Sequence, residues 1–124
     1  MKEIIKKQQE WATLKYLILS KSQNDYKAIR KLVSGKEWNE EKEVLFQQYI
    51  QHALAQPDHK GNKLNAYQHV WGYFKKLATE EEREVYADLS ENFSLDNDQL
   101  FSFLKELIIK YDEAYLYQSK LFFP

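Results

Sequence analysis

An all-α fold, a compact bundle of about six helices forming a single domain over residues 1–124, is predicted by three observations. Only three glycines and two prolines interrupt a chain rich in Leu, Lys, Glu and Gln, which is a composition of helix formers with few breakers. Apolar residues recur at spacings of three and four rather than two. Gly35, Asn39, Pro57 and Thr79 supply helix stop and start signals between the periodic stretches. At 124 residues the chain is long enough to bury a core without metals or disulfides.

The first helix, from about Lys2 to Ser20, carries Ile4, Ile5, Trp11, Ala12, Leu14, Ile18 and Leu19. This stripe is wide enough to be buried from two sides. Lys15 stands in its middle, flanked by Trp11, Ile18 and Leu19. A lysine on an apolar face snorkels to water, pairs with a carboxylate or receives an anion, and snorkelling is the commonest outcome. Ser22 to Asn24 reads as a break, and a short helix follows from about Asp25 to Val33, ending at Gly35, a natural residue just past a helix end. Asn39 caps the third helix, with Glu40 and Glu41 in the first turn, where carboxylates suit the helix dipole. Its inward residues are Leu45, Phe46, Tyr49, Ile50 and Ala53, and Pro57 stops it.

After a loop at Asp58–Gly61, the central helix is predicted over residues 62–78 and holds the most informative stretch, NKLNAYQHVWGYFKK. Tyr67, Val70, Trp71, Phe74 and Leu77 fall on one stripe; Asn62, Asn65, His69, Gly72 and Lys76 fall on the opposite side. Glycine inside a helix costs about 1 kcal/mol relative to alanine. Gly72 is therefore expected to admit the close approach of a second helix or a ligand. Thr79-Glu80-Glu81-Glu82 spells a capping box, so a fifth helix starts at once. Its narrow stripe of Val85, Tyr86, Leu89 and Phe93 places it on the outside. Asp96 or Asn97 opens a sixth helix, with Leu100, Phe101, Leu104, Leu107, Ile108 and Tyr111 inward. Asp112 is expected to cap a last short turn bearing Tyr115, Leu116 and Tyr117, and the apolar tail Leu121–Pro124 to pack back on the body.

The chemistry such a chain can hold is restricted. The absence of cysteine removes thiolate nucleophiles, disulfides, cysteine-ligated zinc and iron–sulfur clusters. His52, His59 and His69 share no metal-ligand spacing. No Gly-rich phosphate loop, nucleophile elbow or kinase signature occurs, and the acidic run Glu80–Glu84 is accounted for by a helix start. These features favour a binding module over an enzyme, with no metal and no cofactor. No apolar run approaches membrane-spanning length and the N-terminus lacks a signal-peptide core, so a soluble, cytoplasmic protein is expected.

Net charge is −1, yet its distribution is uneven. Residues 1–36 hold nine Lys/Arg against three Asp/Glu, and residues 57–78 four against one, whereas residues 79–98 hold one against eight. A cancelled total can hide a bipolar surface, and a basic face is an electrostatic footprint for phosphate. The more common outcome is that such charges are simply solvated.

Lys15-Tyr16, Ser20–Tyr26, Asn65-x-x-x-His69-Val70-x-Gly72-Tyr73-Phe74, Lys105, Tyr111, Tyr115-Leu116-x-Gln118 and Pro124 together resemble the YbgA-like family. This is a domain of unknown function found alone and fused to other domains. The HVxGYF core is the specific part, and the resemblance spans nearly the whole chain. In some relatives the domain is joined to a cysteine-rich iron–sulfur desulfidase acting on thiouracil or thiouridine, where it looks like the part that holds RNA. The resemblance implies an accessory RNA-binding role, and this cysteine-free chain cannot be the desulfidase half. Where the family places histidines, this chain has Trp11, Lys21, Lys63 and Glu106; of these histidines only His69 is retained. Two of those four exchanges preserve positive charge, which favours anion contact over proton transfer. The family's prolines before the sixth helix are also missing.

The leading expectation is a non-enzymatic module binding RNA, with tRNA as the first candidate, alone or beside a separate desulfidase. Its basic face would be drawn from Lys15, Lys21, Arg30, Lys31, Lys63 and Lys76, with Asn65, His69 and Tyr73 nearby. Tyr73 or Trp71 would stack on a base if exposed. A protein–protein module, such as a homodimer or a desulfidase partner using Tyr16, Trp38, Tyr117 and Phe122, is the alternative from another class. A third reading is a nucleobase or nucleotide pocket lined by Lys15, Trp11 and His69.

Overall fold

The computed structural model describes residues 2–124. Among the described residues seven helices follow in order: α1 (Glu3–Lys21), α2 (Gln23–Val33), α3 (Glu40–Leu54), α4 (Lys60–Trp71), α5 (Glu80–Glu91), α6 (Leu100–Lys110) and the single turn α7 (Ala114–Tyr117). The all-α expectation holds, and the seventh element is the short turn anticipated after the sixth helix. No helix of the described residues is long and apolar enough to cross a membrane.

α1 is the shared wall of two apolar clusters. On one side Trp11 and Ile18 pack with Ile29 and Val33 of α2 and with Phe46, Ile50 and Ala53 of α3. On the other, Tyr16 and Leu19 join the larger cluster of Tyr67, Val70 and Trp71 from α4, Leu100, Leu104 and Ile108 from α6, and Leu116 and Phe122 near the C-terminus. The width of the α1 stripe thus has its cause in two neighbours, as its sequence predicted. The tail does pack back: Phe122 is fully buried, 6.1 Å from Tyr67 and 5.3 Å from Phe101 between ring centres, and the Lys120 N–H donates to the Thr13 carbonyl.

Local capping agrees with the sequence at two helices and departs at others. Asn39 accepts from the Lys42 N–H, and Thr79 and Glu82 form both halves of the capping box. α5 lies on the outside with no fully buried residue, held through Tyr86 stacked flat on Trp71. α4 opens earlier than expected because His59 acts as its cap, its Nδ1 accepting from the Asn62 N–H. α6 starts later than Asp96 or Asn97 because Asp98 accepts from the Phe101 N–H. Asp112 does not cap α7. It takes the left-handed conformation, φ 50°, at the joint between α6 and α7, a region aspartate tolerates better than most residues.

The central helix is shorter than its periodicity indicated. α4 ends at Trp71, and the following turns contain i→i−3 bonds from Tyr73 to Val70, Phe74 to Trp71 and Leu77 to Phe74. Such bonding winds three residues per turn, so the stripe loses register. Phe74 remains fully buried, but Leu77, expected inward, is 60% exposed. Gly72 is therefore the C-cap of α4 rather than an interior residue. A Cβ there would meet only the His69 and Gln68 carbonyl groups of its own turn, so no second helix approaches it.

Candidate functional site

Packing of α1 against α4 brings Lys15, Tyr16, His69 and Tyr73 together, and the turn α7 adds Tyr115. Lys15 is half-buried, with its Nζ 5.1 Å from the centre of the Tyr16 ring and 4.9 Å from that of Tyr115. Each contact is a cation–π arrangement, contributing about 0.5–1 kcal/mol where solvent reaches it. No carboxylate lies within ion-pairing distance of Lys15 among the described residues. Lys15 thus has no carboxylate partner among the described residues and lies over two tyrosine rings.

The tyrosines hold one another. The hydroxyls of Tyr16 and Tyr73 are 2.7 Å apart, and their rings meet edge to face at 6.2 Å. Tyr73 lies nearly parallel to Tyr115 at 6.0 Å. Tyr16 is buried, and desolvation followed by the bond to Tyr73 pushes its phenol pKa well above the usual tyrosine value, so it stays protonated. His69, on the exposed side of α4, has its ring 6.4 Å from that of Tyr16.

The remaining expected cations do not all join this cluster. Lys21 is 2.8 Å from Asp58, and Lys63 is 3.1 Å from Asp98, whose carboxylate also accepts from the buried Tyr67 hydroxyl. The ammonium of Lys21, as donor and as charge, holds the Asp58 carboxyl below the ordinary aspartate range. Arg30 is exposed over the Tyr26 ring at 5.7 Å. Lys31 lines a separate cleft of about 470 Å³ between α2 and α3, beside Leu32, Lys42 and Tyr49. Lys76 is exposed in the turns after α4, and Asn65 is half-buried. The single patch expected from all six cations is therefore replaced by Lys15 in the tyrosine cluster, Lys21 and Lys63 tied to aspartates, Arg30 and Lys31 on α2, and Lys76 in the turns after α4.

The aromatic expectations change as well. Trp71 is 8% exposed and stacked on Tyr86 at 4.2 Å, so it presents no face to a base. Tyr73 has Tyr115 against one face and Tyr16 against its edge. Trp11 belongs to the α1–α2–α3 core, 5.6 Å from Tyr26, whereas His69 lies against Tyr16 of the other apolar cluster. Of the aromatic residues considered for a protein interface, Tyr16 and Phe122 are buried, Trp38 packs on Phe46, and Tyr117 alone stays exposed. The histidines serve separate ends: His52 bonds the buried Asp25 at 2.6 Å, tying α2 to α3, while His59 caps α4. Periodicity did not single out Tyr115 or the pairing aspartates; Tyr16 and Tyr115 did stand among the residues carrying the family resemblance.

A helical domain with this lysine–tyrosine cluster between its first and fourth helices is matched over residues 15–124 by the family described as protein of unknown function, DUF1722. The chain belongs to that family. No curated protein and no solved structure matches it significantly.

Proposed function

We propose that this domain binds RNA, holding the phosphate backbone at the α1–α4 face around Lys15 and His69. The observation that supports it is the ammonium of Lys15, lying over two tyrosine rings with no carboxylate partner among the described residues, while the exposed imidazole of His69 lies 6.4 Å from one of those rings. A fixed, uncompensated cation at the surface is what a polyanion seeks. The YbgA-like resemblance carried by Lys15-Tyr16 and the HVxGYF stretch names tRNA as the first candidate and a separate desulfidase as the partner beside which the domain acts. Because Lys21 and Lys63 are neutralised by Asp58 and Asp98, the affinity of the chain alone is modest and depends on few phosphates.

Fluorescence anisotropy with labelled tRNA tests this. Micromolar binding is expected, weakening several-fold as salt rises from about 50 to 200 mM, because each neutralised phosphate releases counterions. Lys15→Met is expected to weaken binding at the lower salt by about three- to tenfold, the scale of one contact that solvent screens. Absence of salt-sensitive binding at tens of micromolar protein refutes the reading.

A further inference from the structure

We infer that Lys15 Nζ, the Tyr73 hydroxyl and His69 form a seat for one phosphate-type oxyanion, with the buried Tyr16 as the positioning residue. The RNA reading bears on it only as the source of that phosphate. The argument is an account of protons. Two phenols 2.7 Å apart own two hydroxyl protons, and only one lies between the oxygens. Tyr16 is 5% exposed and Tyr73 is partly open to solvent. When the inner phenol donates to the outer oxygen, the Tyr73 proton is the one left pointing out, and it has no acceptor among the side-chain bonds of the described residues.

The neighbours are also donors. Lys15 brings three N–H groups and His69 at least one, and neither has an ion-pair partner within 4 Å among the described residues. A cation would find no carboxylate there among the described residues, and the two phenol oxygens already face each other. An acceptor-rich anion matches every group. The donors come from three backbone positions, on α1, on α4 and in the turn that follows α4, so a phosphate, which can give each donor its own oxygen, suits them better than a carboxylate with two. The rings of Tyr73 and Tyr115 are spent on each other and on Lys15, which leaves the phosphate rather than a base as the part held.

The test titrates isotope-labelled protein with orthophosphate, adenosine 5′-monophosphate, adenosine and a short RNA at constant ionic strength, following the NMR signals of residues 15, 69 and 73. Phosphate and the monophosphate are expected to move all three; adenosine is expected to move none. Tyr73→Phe should weaken monophosphate binding by about tenfold or more, the scale of one hydrogen bond to a charged group, without altering the salt slope for RNA. Lys15→Met should lower that slope by about 0.7. Tyr16→Phe should cost as much as Tyr73→Phe, with no further loss in the double variant; two independent structural defects would add instead. Equal shifts from adenosine and its monophosphate overturn the inference, as does failure of phosphate to move the three signals, which needs no variant. If RNA binds in a salt-sensitive way and Lys15→Met weakens it, while phosphate and the monophosphate move none of the three signals, the inference falls and the RNA reading stands. If phosphate binds at these residues but RNA does not, the RNA reading falls and the inference stands.

Discussion

Glu82 joins α5 to the end of α6, and replacing its charge tests how much that junction contributes. Its carboxylate receives the Thr79 N–H at 2.9 Å, the Lys110 ammonium at 2.7 Å and the Tyr111 hydroxyl. Partial burial by itself would push its pKa up, but those three donors overcome this and hold it at about 2, against an ordinary 4.5. A folded-state pKa below the unfolded value stabilises the protein above pH 4.5, and that contribution disappears as pH falls toward 2. At about 1.4 kcal/mol per pH unit, the full shift corresponds to roughly 3 kcal/mol. The Lys110 side chain is 55% exposed, so solvent screening reduces this to about 1–2 kcal/mol. Glu82→Gln removes the charge while keeping a residue suited to the capping box. It should lose about 1–2 kcal/mol in urea denaturation at pH 7, and the gap to the unsubstituted protein should narrow between pH 5 and pH 3. Equal stability at pH 7, or a gap independent of pH, refutes the assignment of that energy to the ionised carboxylate.

Two more outcomes follow from the packing and the ion pairs. Phe122→Ala should destabilise the fold by about 3–5 kcal/mol in thermal or chemical denaturation, because the ring is fully buried between Tyr67 and Phe101; a loss below about 1 kcal/mol contradicts that position. Asp58→Asn releases Lys21 from its 2.8 Å pair, at a stability cost of at most about 1 kcal/mol. If the α1–α4 face holds RNA, the same substitution steepens the salt dependence by up to about 0.7, and an unchanged slope places Lys21 outside the contact surface.

Much of the fold was legible because helix periodicity and capping are local. The Thr79–Glu82 box and the Asn39 cap lie where three-residue spacing put them, and the double-sided stripe of α1 foretold its place between two clusters. The central helix misled because a wheel presumes constant winding, and the tighter turns after Trp71 rotate Leu77 into solvent. The site was half legible. Lys15 stood out as a charge on an apolar face, and the resemblance put Lys15, Tyr16, His69, Tyr73 and Tyr115 in one set. What a wheel cannot show is partnership between distant segments. Asp58 and Asp98 lie in connecting loops, yet they meet Lys21 and Lys63, and those meetings decide which lysines remain free.

Because α1 forms a side of both apolar clusters, neither half of the domain owns it. Opening the α2–α3 half bares the outer flank of the helix that the α4–α6 half needs as its floor, and the reverse is equally true. Disruption in either compartment therefore reaches the other through α1, and a single cooperative melting transition is the expected outcome.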